Sequence, residues 1–346
     1  MKRLTLIILP LLLFNACKVD PEIAVTSKKE ITEIIPAGWP TPHYTFSVNT
    51  LSEARFNLGR ELFYDPILSL DNTISCGSCH QQATAFAHAE HKFSHGIHDL
   101  LGKRNAPALF NLNWLPSFMH DGGINHIEVQ PLGPITNPIE MAESMPNVMA
   151  KLQASSKYKV LYKEAWGSDS MTSQGLFRAM AQFMGTMVSY NSKYDRYKRG
   201  ETGAMLSEQE LRGYNLFLAK CNACHTEPLF SDYAFRSNGL TVDPYLLDSG
   251  RAHITSLSTD RYKFKTPSLR NIAITQPYMH DGRYSTLQAC LNHYTDNVKN
   301  QFNLDPILAP SGIPLTAEDK SDIIAFLFTL TDYQFITDEK FAEPHH

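Results

Sequence analysis

The sequence predicts a mainly α-helical protein of two similar halves with few short strands. Three observations carry this: apolar residues recur at helical spacing behind recognisable caps, strand-like alternation is scarce, and one order of features occurs twice. In each half a helix leads to a C-x-x-C-H pentapeptide and then to an M-H-D-G segment. The first half has Cys76-Gly77-Ser78-Cys79-His80 and Met119-His120-Asp121-Gly122; the second has Cys221-Asn222-Ala223-Cys224-His225 and Met279-His280-Asp281-Gly282. The pentapeptides are 145 residues apart (221 − 76) and the M-H-D-G segments 160 (279 − 119). Two copies indicate a duplicated module, because a solenoid needs more.

The elements follow in order. Met1-Lys2-Arg3 and the apolar run Leu4 to Phe14 read as a signal peptide over 1–17, too short to span a membrane, with Cys17 after Ala16 as the lipid-acceptor cysteine. Residues 18–44 carry Pro21, Pro36, Pro40 and Pro42 without helical periodicity and read as a tether. Ser52 caps a helix to about Phe63 with Phe56, Leu58, Leu62 and Phe63 apolar, and a loop then delivers the first pentapeptide. Phe177, Met180, Ala181, Met184 and Val188 lie at helical spacing and read as core. Ser207 with Glu210 forms a capping box before Leu211, Tyr214, Phe217 and Leu218. Gly59-x-x-Leu62-Phe63 is echoed by Gly213-x-x-Leu216-Phe217. Thr316 with Asp319 starts a last helix through Ile323, Phe326, Leu327 and Leu330. The boundary falls near Gly200 to Gly203, giving an N-terminal domain over 45–200 and a C-terminal domain over 201–340.

A C-x-x-C-H segment places two thiols to reach the two vinyl groups of one porphyrin and an imidazole beneath the iron, so each copy predicts one covalently attached haem c. A disulfide, a zinc half-site and a redox pair compete for one such motif. Two copies in an exported chain, with no second C-x-x-C near either, favour haem. Of the six cysteines only Cys290 is then left over, and it reads as a small buried hydrophobe. The fold expected is two cytochrome-c-like haem domains. With 346 residues, 43% hydrophobic, the chain can bury a large core, and a net charge of −4 without basic runs argues against a nucleic-acid partner.

Phe63-Tyr64-Asp65-Pro66, Leu68-Ser69, Asp71, Gly102-Lys103-Arg104-Asn105-Ala106-Pro107 and Asn137-Pro138-Ile139-Glu140-Met141 accompany the first motif. Thr266-Pro267-Ser268-Leu269-Arg270-Asn271 and Pro277-Tyr278-Met279-His280-Asp281-Gly282 accompany the second. Over about residues 50 to 335 this pattern resembles the bacterial dihaem cytochrome c peroxidase and MauG superfamily. The resemblance implies that the N-terminal haem is peroxidatic, with His80 as its proximal ligand and Gln130 and Glu140 on its distal side. One carboxylate can take the proton from the inner peroxide oxygen and return it to the leaving one, and an amide can donate a hydrogen bond without becoming charged. The resemblance also implies His225 as proximal ligand of the second haem and a calcium ion between the haems, held by Asn105 and the carbonyls of Thr275 and Pro277.

Three positions depart from the family. Its inter-haem Trp is replaced by His120, with Trp114 six residues earlier; a structural histidine, a polar contact or a haem ligand are the expectations there. Some members carry a sixth-ligand histidine on the first haem; His88, His91, His95 and His98 fall in that loop, and His95-Gly96 is the nearest local match, although a solvated loop is the plainer reading. The second haem takes Met in the peroxidases and Tyr in MauG. Tyr294, fourteen residues after His280, is the expected ligand, with Met279 as alternative and His293 as a lesser rival. The resemblance thus implies a lipid-anchored periplasmic peroxidase that reduces hydrogen peroxide to water with electrons from a small donor, a cytochrome c or cupredoxin. MauG-like oxidation of a protein or organic substrate and a plain electron-transfer cytochrome stand as alternatives, and a homodimer is left open.

Overall fold

Two helix pairs organise the computed structural model, which describes residues 31–345; the signal peptide, Cys17 and the tether up to residue 30 lie outside them. In chain order the helices are α1 (Glu53–Tyr64), α2 (Cys76–Cys79), α3 (Leu132–Thr136), α4 (Met145–Ala154), α5 (Ser156–Trp166), α6 (Ser173–Gly185), α7 (Lys193–Lys198), α8 (Glu208–Lys220), α9 (Ala252–Thr255), α10 (Leu287–Asn292), α11 (Ala317–Phe328) and α12 (Tyr333–Thr337). Strands β1 (Phe235–Arg236) and β2 (Phe264–Lys265) pair antiparallel. Among the described residues no helix is long and apolar enough to cross a membrane.

The predicted caps are present. The Ser52 hydroxyl accepts from the Arg55 amide, and α1 stops before Pro66, since a residue preceding proline is disfavoured in helix. Ser207 and Glu210 bond reciprocally at the start of α8, as do Thr316 and Asp319 at the start of α11, each pair satisfying two otherwise unpaired amides. α1 packs on α6 and α8 packs on α11. The echoed glycines explain how: a Cβ on Gly59 would lie 2.0 Å from the Ala179 carbonyl oxygen on α6, and one on Gly213 would lie 1.9 Å from that of Asp322 on α11. Only glycine lets backbones approach this closely.

Each pair anchors a core. Phe56, Leu58, Leu62 and Phe63 pack with Leu176, Ala179, Met180 and Phe183 in the first; Phe217, Phe230, Ile323 and Phe326 lead the second. Each of the larger side chains, fully buried, contributes about 1.5–3 kcal/mol. Of the residues expected as core around α6, Met180, Ala181, Met184 and Val188 are buried and Phe177 is only half-buried, with Leu176 buried beside it, and Leu218 on α8 is exposed. The end of the expected tether is docked on the body. Trp39 meets Trp114 edge to face at 5.0 Å, the Trp114 indole N–H donates to the Pro40 carbonyl, and Tyr44 is buried in the first core. At the other end Phe335 and Phe341 return to that same core, and the Tyr64 hydroxyl donates to the Phe341 carbonyl.

The two M-H-D-G turns are built alike. Each has its Met and its Gly at positive φ, and each is closed by a short bridge, Phe118 to Ile124 and Tyr278 to Tyr284. Each also reaches across to the other half of the sequence. The Lys265 amide donates to the His120 carbonyl, and the Asn105 amide donates to the His280 carbonyl, both at 2.8 Å. Arg104 reinforces the link by pairing with both Asp121 and Asp248.

Candidate dihaem site

Both pentapeptides face one cavity of about 810 Å³. In the first, Ser75 and Ser78 bond reciprocally and wind the single turn α2, which sets Cys76 and Cys79 three residues apart on one face and leaves His80 just beyond it. The His80 Nδ1 lies 2.8 Å from the Phe86 carbonyl oxygen. A carbonyl only accepts, so Nδ1 carries the proton and Nε2 keeps its lone pair for a metal. Ala85 and Phe86 both adopt positive φ, which turns that carbonyl back towards the ring. The second half repeats the device: His225 Nδ1 lies 3.1 Å from the Pro267 oxygen and 3.2 Å from that of Phe230, another residue at positive φ. Burial pulls the His80 imidazole down to about 4 and lowers that of His225, so both rings are neutral donors.

These residues fit a haem better than the competing readings. Burial pushes the Cys76 and Cys221 thiols up to about 12, whereas a redox pair needs a thiol that ionises easily. Among the described residues no group of three or more His, Cys, Asp or Glu is placed to hold a bare metal ion. Arg236, which lines the cavity, pairs with Asp232 and Asp305 yet leaves its buried Nε without a partner, a donor that a porphyrin carboxylate would take up.

Gln130 and Glu140 line the same cavity as His80. Gln130 is carried on the turn entering α3, and Glu140 follows that helix in a turn whose Asn137 donates to Oε1 at 3.1 Å. Burial raises the Glu140 carboxyl above the usual range, and the Asn137 bond only partly offsets this. A carboxyl so raised holds a proton more readily than an exposed one, as a group that takes and returns a proton requires.

Around the second motif, Tyr294 and Met279 both line the cavity. Asn238, which the sequence reading did not single out, touches both: its Nδ2 lies 3.6 Å from the Met279 sulfur, its side chain bonds Tyr294, and its carbonyl accepts from His293 Nε2 at 2.9 Å. His293 is thereby engaged with main chain. Burial raises the Tyr294 hydroxyl to about 12, with Asn238 opposing. Tyr294 sits in a π-type turn, His293–Asn297, a distortion common at functional sites. Cys290 also lines the cavity, with its thiol pushed up by burial to about 12.

Asn105, Thr275 and Pro277, the expected calcium positions, line this cavity too. Asn105 is buried and its Nδ2 donates to the His91 carbonyl at 2.9 Å. His120 makes a polar contact with main chain: its Nε2 donates to the Asn105 carbonyl at 2.9 Å, and burial pulls the ring down to about 4. Its counterpart His280 stacks on Phe264 at 3.7 Å. In the histidine loop, His88 is buried against His91, His95 lines the cavity, and His98 is exposed, 3.8 Å from Asp71. The carbonyls of Phe86 and Phe230 escaped the sequence reading because a carbonyl donor leaves no side-chain signature.

A family model described as di-haem cytochrome c peroxidase matches residues 53–203. The methylamine utilization protein MauG of Methylorubrum extorquens is 34% identical over 293 residues, 82% of this chain and 79% of that protein. Cytochrome c551 peroxidase of Nitrosomonas europaea is 35% identical over 288 residues, 80% of each chain. Among solved structures, a MauG-like protein associated with microbial copper homeostasis superposes with a TM-score of 0.82 at 31% identity, covering 90% of this chain and 98% of that one.

Proposed function

The chain belongs to the family of dihaem cytochrome c peroxidases and MauG, whose cofactors are haems c, and on that premise we propose that it reduces hydrogen peroxide to water with electrons from a small periplasmic cytochrome c or cupredoxin. The two haems would be held by Cys76, Cys79 and His80 and by Cys221, Cys224 and His225. When bound, they supply the irons that coordinate peroxide and store electrons. The observation that carries the reading is the placing of Gln130 and Glu140 in the cavity that His80 faces, with the Glu140 carboxyl raised by burial. Glu140 takes the proton from the inner peroxide oxygen and returns it to the outer one; Gln130 donates a hydrogen bond to the developing negative charge. His80 and His225 hold their ligand nitrogens through the carbonyls behind them.

On the same reading Tyr294 would ligate the second iron, Asn105 with the Thr275 and Pro277 carbonyls would hold a calcium ion, and Cys17 would carry a lipid anchor. Oxygen donors suit a hard cation, and an ion joining residues 105 and 275–277 would reinforce the existing cross-links. The Tyr294 hydroxyl favours a second activity, MauG-like oxidation of a protein or organic substrate, because a phenolate stabilises oxidised iron more than a thioether does. Steady-state peroxide turnover with a panel of reduced cytochromes and cupredoxins tests the proposal. Turnover with one of them supports it; a fully haem-loaded protein that consumes no peroxide with any of them would refute it.

A further inference from the structure

We infer that His91 and His95 form a two-imidazole relay that carries protons from solvent to Glu140; the inference rests on the peroxide reading above. Reducing one H2O2 to two H2O takes two electrons and two protons. The donor protein brings the electrons, whereas the protons must come from water. Half-buried Glu140 returns to the outer oxygen the proton it took from the inner one, so the two protons consumed with the electrons must be delivered to it from solvent.

The loop after the first pentapeptide offers the path. His91 is exposed, its Nδ1 lies 3.1 Å from His95 Nε2, and His95 lines the cavity that Glu140 also lines. Two imidazole nitrogens at that distance share one proton in an N–H···N bond. His91 takes a proton from water on Nε2 and passes the one on Nδ1 to His95 Nε2. His95 then releases the proton on its own Nδ1 into the cavity. Each ring gains one proton and loses one, and tautomer reversal through water resets both.

The loop is held for this task. Gly96 leaves no room for a side chain: a Cβ there would lie 2.0 Å from the Ile139 oxygen and 2.6 Å from the Glu140 Cα. The Ile97 amide donates to the Glu140 carbonyl at 2.8 Å, so the segment bearing His95 is fastened to the segment bearing Glu140. The His95 carbonyl lies 3.5 Å from the Cys79 sulfur, at the same pentapeptide. Asn105 Nδ2 holds the His91 carbonyl, and buried His88 stacks on the His91 ring at 4.1 Å and 11°, which fixes its plane. A solvated loop needs none of these constraints.

The test is His91→Gln in the haem-loaded protein, reduced beforehand by two electrons and freed of excess reductant, then mixed with one equivalent of peroxide in weakly buffered solution containing a pH-indicator dye. Haem absorbance and dye colour are followed together. The variant should keep wild-type haem content and resting spectrum, and both proton uptake and the peroxide-dependent absorbance change should slow by about 10-fold, towards the low end of what a proton-transfer group supplies. Added imidazole should restore both rates, which it could not do for a purely structural loss. His98→Gln, in the same loop, should behave as wild type. Proton uptake at the wild-type rate in His91→Gln, or a slowing that imidazole does not relieve, would overturn the relay while leaving the peroxide reading intact. A wild-type protein inert to peroxide would remove both.

Discussion

Asp195→Asn should cost far more stability than its conservative appearance suggests. The Arg270 side chain is fully buried and Asp195 nearly so, and the two meet in a bidentate pair at 2.8 Å and 2.8 Å. Arg270 also donates to the Pro228 carbonyl and lies 4.6 Å over Trp39 and 5.5 Å over Phe230, so the guanidinium has nowhere to reach water. An amide keeps the shape but leaves the charge uncompensated, at a cost of about 3–5 kcal/mol. At about 2 °C per kcal/mol for a chain of this size, the melting temperature should fall by about 6–10 °C. Burial opposes ionisation of Asp195, but the Arg270 bonds prevail and hold its carboxyl below the usual range. A depressed carboxyl contributes stability above its unfolded pKa and loses it as pH falls through the folded one. The gap between wild type and variant is therefore full at neutral pH and closes below about pH 4. Far-UV circular dichroism and haem absorbance on heating would measure it, with Lys163→Met as the control, since the Lys163 pair with Asp169 is exposed on both sides. An Asp195→Asn melting point within about 2 °C of wild type at pH 7 would refute the reasoning.

A pyridine haemochrome assay should find two haems c per chain, and Cys221→Ala with Cys224→Ala should leave one; a protein without porphyrin would end the haem assignment. Glu140→Gln should retain both haem spectra yet slow peroxide cleavage by about 10²–10⁴-fold. Because only the carboxylate form accepts the first proton and burial raises this group, the wild-type rate should fall on the acid side with a midpoint above the ordinary glutamate value of about 4.3, and that limb should vanish in the variant. For the second iron, a far-red sulfur-to-iron band that survives Tyr294→Phe and disappears in Met279→Leu would assign the ligand to Met279 instead of Tyr294.

Local physics made much of the chain legible. The capping boxes at Ser207 and Thr316 and the Ser52 cap work through bonds within four residues, so their sequence signatures translate directly into helix starts. The pentapeptides were legible because their chemistry is contiguous. Gln130 and Glu140 were different, since nothing in their own neighbourhoods distinguishes them from surface residues, and only the resemblance to a family picked them out. What could not be read depends on partners distant in sequence. Asn238 matters through contacts with residues 279, 293 and 294, and the seat of Phe341 is made by a core more than 150 residues earlier. Proline-rich composition suggested a free tether up to Tyr44, yet the tryptophan and tyrosine within it find an apolar surface that composition cannot reveal.

The crossed bonds between the M-H-D-G turns bear on the order in which the protein can mature. On the proposed reading, in which the chain is exported, the amino-terminal pentapeptide would emerge first and could receive its porphyrin early. The Asn105 amide nevertheless waits for His280, and the His120 carbonyl waits for Lys265, so the wall beside the first pocket closes only once most of the second half is available to fold. On the proposed reading, a peroxide-reactive iron is thus not enclosed until the domain that feeds it electrons is also outside, which spares the nascent chain a pocket primed for oxidation with no reductant to discharge it.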